Sequence, residues 1–367
     1  MQALLPALTE VYGNPSSVHQ DGQTARQRLE SARVDICALL HCSAKDLVLV
    51  SGGTEGDNLA LFGALRASTS ERRHLITTAI EHPAVLNACA QLEQEGVEVT
   101  YLQPSPRGLI EPDAVRRALR PETVLVSVMH ANNETGVIQR LEEIGAVARG
   151  AGVLVHSDGV QAAGKIPVDL SSLPVDLYTI SGHKFYAPKG VGALYVRQGV
   201  TLKPVQYGGR HERSRRAGTE NVPGIIAMGA AARLAALNLG AEPVRLAGLR
   251  DRLERGILSR IADVRLNGAD APRVPNTTNI AFDGVDGEAM VIALDLRGFA
   301  LSTGSACSSG AVEPSHVLTA MGLSRDQARS SLRFSLGRVN TEEQVDELIE
   351  AVAAAAAHLR RLSPTYV

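Results

Sequence analysis

Tryptophan is absent, and aromatic residues make up only 3% of the 367-residue chain. The stacking platforms on which proteins hold unpaired bases are therefore scarcely supplied. Neither sign of charge is in excess: 37 Lys and Arg stand against 39 Asp and Glu, a formal net charge of −2 at pH 7. A polycation that grips nucleic acid by counterion release is excluded, and no direct nucleic-acid binding is expected. The four cysteines, Cys37, Cys42, Cys89 and Cys307, are sparse and irregularly spaced. That fits neither a disulfide scaffold nor paired zinc knuckles, so free thiols and no metal site are expected. Nor does His41 beside Cys42 make a metal site, since no second ligand pair follows. No apolar run approaches the ~18 residues of a membrane span, and the most apolar stretch, 224 to 241, is interrupted by Arg233. The opening MQALLPALTE has no basic leader before an apolar core. A cytoplasmic, soluble protein without a membrane partner is the expectation.

What is present points to α/β architecture. At ~150 residues per domain the length predicts about two domains, and 44% apolar residues suffice for two cores. Between 47 and 200, apolar β-rich runs (46–51, 74–80, 97–102, 123–130, 152–158, 176–182 and 191–196) alternate with stretches of helical period (54–67, 83–95, 111–119 and 140–150). Runs apolar on both faces suit central strands covered by helices, which predicts a mostly parallel sheet. A long Ala, Leu and Arg stretch running to about 260 reads as a connecting helix holding the domain boundary. Strands near 276–283 and 331–336, with helices near 286–296 and 341–361, then read as a smaller α+β domain. The expected division is 13–245 for the larger domain, with 1–12 and 246–367 forming the smaller.

Three stretches carry chemistry. SGGTEGDN at 51–58 sits between a strand and a helix, where glycines permit a tight turn and free amides beside Thr54 suit a phosphate. Alone it reads as an ordinary turn capped by Thr54. Neither GxxxxGK[ST] nor GxGxxG is present, so a mononucleotide P-loop and a nicotinamide fingerprint are excluded. In HSDGVQA, Asp158 ends an apolar strand, at the edge where α/β sheets bind ligands; capping a following helix is an equal alternative. In SGHK, Ser181, His183 and Lys184 end another strand at the same edge. A phosphate nest, a strand-end carboxylate and a strand-end lysine are together the parts that hold pyridoxal 5′-phosphate: the lysine joins the aldehyde and the carboxylate keeps the ring nitrogen protonated.

On these stretches, with YGNPSSVH (12–19), EHPAV (81–85), HANNETGVIQ (130–139), RAGTEN (216–221), STGSACSSG (302–310) and SLRFSLGR (331–338), the chain resembles the cysteine desulfurases of the NifS and IscS type. These are class V members of the fold-type I pyridoxal-phosphate enzymes, and the resemblance runs from 12 to 338. It implies a PLP-dependent transferase fold type I, a large α/β domain with a mostly parallel sheet plus a smaller α+β domain. Lys184 is implied as the covalent anchor, Asp158 as partner of the ring nitrogen, His82 as the ring-stacking and catalytic residue, and Gln161 as partner of the phenolic oxygen. Gly53, Thr54, Ser181 and His183 are implied phosphate ligands. Thr219 is implied to reach the phosphate of a neighbouring subunit, which makes a homodimer the expectation. Arg333, assisted by Asn133, is implied as the anchor of the substrate carboxylate.

Cys307 decides the chemistry. Taking sulfur from cysteine needs a second thiolate to attack the substrate Sγ, and small residues flank Cys307 on both sides, which suits a travelling thiol. The other three cysteines read as inert core residues. The expected activity is conversion of L-cysteine to L-alanine, with sulfur passed as a persulfide to a sulfur-acceptor protein for iron–sulfur clusters, thio-cofactors, tRNA or DNA. An aminotransferase, a selenocysteine lyase and an impaired sulfur-assembly scaffold remain open alternatives. The last arises because the chain opens roughly twenty residues later than the family pattern, without the strand that borders the substrate pocket.

Overall fold

Short, largely apolar runs, buried at every position in five of the strands, set the architecture. The computed structural model describes residues 1–70, 73–303 and 313–362. Its backbone divides into two units: Met1–Leu102, Glu111–Ala131 and Gln139–Leu239 form the first, and Gln103–Ile110, Asn132–Ile138 and Gly240–Val367 form the second.

In chain order the first unit contains α1 (Leu4–Thr9), α2 (Gln20–Leu40), β1 (Leu47–Val50), α3 (Gly53–Ala67), β2 (His74–Thr78), α4 (Pro83–Gln94) and β3 (Glu98–Leu102). It continues with α5 (Pro112–Ala118), β4 (Thr123–Ser127), α6 (Leu141–Gly150), β5 (Leu154–Asp158), β6 (Leu177–Ser181), β7 (Gly192–Val196) and α7 (Val222–Asn238). One seven-stranded sheet has the order β1-β7-β6-β5-β4-β2-β3. From β3 to β6 every pairing is parallel. β7 runs antiparallel to both β6 and β1, so β1 points the same way as β6. Parallel strands need crossover helices and covered faces. Leu59, Leu61 and Leu65 of α3 and Val85 and Leu92 of α4 supply one cover, packing with Leu75, Leu125 and Leu194.

The second unit holds α8 (Glu242–Arg260), β8 (Val264–Leu266), β9 (Thr277–Phe282), α9 (Gly287–Asp295), α10 (His316–Ala320), α11 (Arg325–Arg329), β10 (Ser331–Ser335) and α12 (Glu342–Leu362). Its antiparallel sheet has the order β10-β9-β8. Leu253 and Ile257 of α8, Met290 of α9 and Val352 of α12 bury Phe282 and Phe334.

Two expectations need correction. The connecting helix is two helices, interrupted between Asn238 and Glu242, with Gly240 in the gap and a proline in the first turn of α8. Gly is a poor helix former and Pro suits a helix start, so the chain breaks there, and the boundary falls at Leu239 and Gly240 rather than near 245. Residues 1–12 belong to the first unit and not to the smaller one: α1 packs on α7, with Ala7 buried. Among the described residues, no single helix is long and apolar enough to cross a membrane.

Candidate active site

Because β1, β2, β4, β5 and β6 all point one way, their carboxyl ends lie along one edge of the sheet, where α/β proteins bind ligands. Gly53 and Thr54 follow β1, His82 follows β2, Asp158 ends β5, Ser181 ends β6, and His183 and Lys184 lie in the turn just after it.

The start of α3 lies hard against its neighbours. A Cβ on Gly53 would come within 2.9 Å of Val160 and 3.7 Å of Ser181, and one on Gly192 would come within 2.7 Å of the Gly52 Cα. Only glycine allows the helix start, with its open amides, this close to the ends of β5 and β6. Ser181 Oγ and His183 Nδ1 are hydrogen-bonded at 2.9 Å. Burial first, and then the cations of Lys184, Lys189 and Lys165, lower the pKa of His183, so this corner gathers positive charge. Lys184 itself is exposed. It rides a turn at Gly182–Phe185 closed by Gly182 N to Val191 O and Ala187 N to Gly182 O, both 3.0 Å.

Asp158 is 6% exposed, and its Oδ1 accepts from Val160 N at 2.9 Å. Burial, and then the neighbouring Asp57, push its carboxyl up to about 8, against the opposing pull of the Val160 amide, His156 and Lys184. Gln161 accepts a hydrogen bond from Lys165 Nζ through its Oε1, so its amide nitrogen is the donor end. His82 caps α4: its Nδ1 accepts from Ala84 N at 3.1 Å, which in the neutral ring puts the proton on Nε2. The preceding Glu81 fixes this corner by accepting from Thr78 Oγ1 and Met129 N, each at 2.9 Å.

Beneath Asp158 lies a polar layer that sequence reasoning missed. His156 is held between Ser127 Oγ (2.8 Å) and Thr179 Oγ1 (3.1 Å), with Asp57 Oδ1 at 3.5 Å. His130 Nδ1 meets the Tyr178 hydroxyl at 2.7 Å. The one signal in the sequence was polarity inside a strand, in LVHSD.

Thr219 is exposed. Its stretch is tied to the start of α3 by Arg216 Nε, which donates to Glu55 Oε1 at 2.7 Å. It is tied to the sheet edge by the buried Glu212, which receives Arg33 Nη2 at 2.7 Å and Leu49 N at 2.9 Å. An open cleft of about 440 Å³ adjoins these anchors, lined by Pro15, Arg26, Arg210 and Glu220 among others.

In the second unit, Arg333 Nη1 donates to Asn133 O at 3.0 Å, while its buried Nε has no hydrogen-bond partner among the described residues. Arg333 N donates to Ser302 O at 2.7 Å, and Ser315 Oγ donates to Glu134 Oε2 at 2.5 Å. These contacts fasten Ser302 and Ser315, between which Cys307 stands in sequence; Cys307 itself lies outside the described residues.

The first-unit residues fit pyridoxal phosphate. The buried Asp158 carboxyl is held above its usual range despite the pull of Lys184, and a protonated ring nitrogen against it would supply a facing cation; the glycine-opened helix start beside Ser181 is a cradle that a Cβ would fill.

The aminotransferase class-V family model matches residues 1–348. A cysteine desulfurase of a Nostoc species is 48% identical over 364 residues, covering 99% of this chain and 91% of the relative. A solved NifS-like protein superposes with a TM-score of 0.91 at 34% identity, covering 97% of this chain and 95% of that one. A structure described as SspA in complex with cysteine gives a TM-score of 0.82 at 35% identity, covering 91% and 94%. The chain belongs to the class-V aminotransferase family, among its pyridoxal-phosphate-dependent cysteine desulfurases.

Proposed function

We propose that the chain takes sulfur from L-cysteine, releases L-alanine, and carries the sulfur as a persulfide on Cys307 to an acceptor protein. The observation behind this reading is the convergence, at one sheet edge, of an exposed Lys184, a buried Asp158 and a helix start opened by glycine. Pyridoxal phosphate, when bound, supplies an electron sink that labilises bonds at the substrate Cα. Asp158 would stand against the ring nitrogen and hold it protonated, its own carboxyl becoming an anion beside that charge. Gly53, Thr54, Ser181 and His183 would take the phosphate, and the amide nitrogen of Gln161 would donate to the phenolic oxygen. Lys184 would be the covalent anchor. His82 would lie over the ring, its Nε2 carrying a proton.

Arg333 has a buried Nε, without a partner among the described residues, to offer a substrate carboxylate, and its Nη1 already holds the Asn133 carbonyl. Cys307 Sγ would then attack the substrate sulfur. The substrate Cβ–S bond breaks, an S–S bond forms on Cys307, and Cβ takes a proton to become the methyl of alanine. The acceptor is a protein of iron–sulfur assembly or of tRNA or DNA thiolation. A cytoplasmic homodimer, with Thr219 reaching the partner's phosphate, completes the proposal.

Borohydride reduction of the loaded protein should leave a reduced adduct on Lys184 and on no other lysine. Cys307→Ser should abolish sulfide release while leaving the cofactor's visible absorbance. Undiminished sulfide release would remove Cys307 from the mechanism, and a yield of neither alanine nor sulfide from the loaded, unmodified protein plus cysteine and a reductant would remove the desulfurase reading.

A further inference from the structure

Two cysteines that the active site does not use meet at the end of α2. His41 takes a left-handed conformation (φ 51°), and the amide of Cys42 donates back to Cys37 O at 3.1 Å. This is the helix-ending motif in which the residue after the left-handed one bonds back five positions and their side chains meet, ordinarily as an apolar contact. Here both side chains are thiols. The motif also brings the two backbones together: with one main-chain bond of 3.1 Å between them, the Cα atoms stand at most roughly 7 Å apart, the outer limit for a disulfide.

From this geometry we infer that Cys37 and Cys42 form an oxidisable dithiol, a modification site that closes reversibly into an intrachain disulfide. The two residues differ in role. Cys37 is buried and Cys42 half-buried, so a small oxidant enters past Cys42. The Cys42 thiol, and after it the charge of Arg33 one turn earlier on α2, favour the thiolate of Cys37, while burial opposes it. Cys42 is held in its protonated form by its bond to Cys37 and by burial. Cys37 is therefore the sulfur that attacks an oxidant, and Cys42 the one that resolves it. Cys89 is an internal contrast: it is buried, and burial and then Glu81 push its thiol up to about 12.

The chemistry balances with a peroxide as oxidant. Cys37 sulfur attacks one peroxide oxygen, forming a sulfenic acid and releasing water. Cys42 sulfur, giving up its proton, then displaces the hydroxyl as a second water. The dithiol has lost two electrons and two protons, and one peroxide has become two waters. A dithiol reductant reverses the step by exchange. The backbone is already closed by hydrogen bonds, so folding places the thiols for the reaction.

One tryptic peptide, residues 34–45, carries both cysteines and neither of the other two. Holoprotein treated with equimolar hydrogen peroxide, alkylated and digested should yield this peptide lighter by two hydrogens and unalkylated, restored to double alkylation by dithiothreitol. In urea the same treatment should form that disulfide more slowly. Cys42→Ser should leave Cys37 to oxidise onward to sulfinic acid, and Cys37→Ser should leave Cys42 reduced. A doubly alkylated peptide after peroxide, sulfinic acid at Cys37 with Cys42 intact in the unmodified protein, or a rate no faster folded than unfolded would each overturn the inference. None of these readouts depends on the cofactor or on Cys307.

Discussion

Asp57 Oδ1 lies 3.5 Å from His156 Nε2, with both side chains buried. Burial raises Asp57 from 3.8 to about 7, despite the Thr179 hydroxyl, and lowers His156 to about 4. Between 3.8 and about 7 the folded chain keeps a proton on Asp57 that the unfolded chain has released. That contribution to stability is complete at the acidic end of the window and is lost as pH rises through 7. His156 acts in the opposite sense, its contribution being lost as pH falls toward 4, but it is common to both proteins in a comparison. Cofactor-free Asp57→Asn should therefore exceed the parent's melting temperature by less at about pH 5 than at about pH 8. Parallel melting curves across that range would show that Asp57 does not titrate there.

The Ser315 hydroxyl both donates to Glu134 and caps α10 by accepting from Leu318 N at 3.1 Å. Ser315→Ala removes a cap and leaves a buried carboxyl short of a donor, which costs about 1–3 kcal/mol. The expected result is a lower melting temperature and slower sulfide release with the cofactor's absorbance unchanged; Ser315→Thr should recover part of both. Full activity in Ser315→Ala would show that this anchor is dispensable.

A Cβ on Gly159 would fall within 2.0 Å of the Tyr178 ring, which is fully buried and bonded to His130. Gly159→Ala must displace a ring from a packed layer, so the loss should exceed the ~1–3 kcal/mol typical of overpacking. Chemical denaturation of the variant, read by far-ultraviolet circular dichroism, checks this.

Arg33 and Glu212 are paired out of solvent. Three consecutive non-glycine residues, Glu212, Arg213 and Ser214, have positive φ (44°, 59° and 64°), so the stretch needs an anchor. Glu212→Ala leaves the buried guanidinium only Glu30 and the Leu47 carbonyl and leaves the Leu49 amide without its acceptor, and should cost up to about 3–5 kcal/mol, whereas Arg33→Met with Glu212→Leu should recover part of it. Equal losses in the single and double variants would contradict this.

The seven strands of the larger sheet and the helices between them were legible because buried parallel strands are written as unbroken apolar runs between turn residues. The break at Gly240 was not, since strong helix formers lie on both sides and a single glycine is weak punctuation. Asp57 reads as one more polar residue of a helix start, and its meeting with His156 depends on how α3 lies over β5. The Arg333 bond to the Asn133 carbonyl joins a side chain to a backbone 200 positions away and leaves no local trace. Cys42 was misread as a helical core residue: it lies just past α2, half-buried, because His41 turns the chain out of the helix.

Reversal of β7 has a mechanical consequence. With β6 and β7 adjacent and antiparallel, Ser181 faces Gly192 across the pair, and the chain bearing Lys184 leaves and re-enters the sheet at neighbouring places. Under the proposed function the Lys184 amine lets go of its cargo and retakes it in every cycle; it is mounted on a short, doubly clamped arch, so its excursions are confined to its own four-carbon tether.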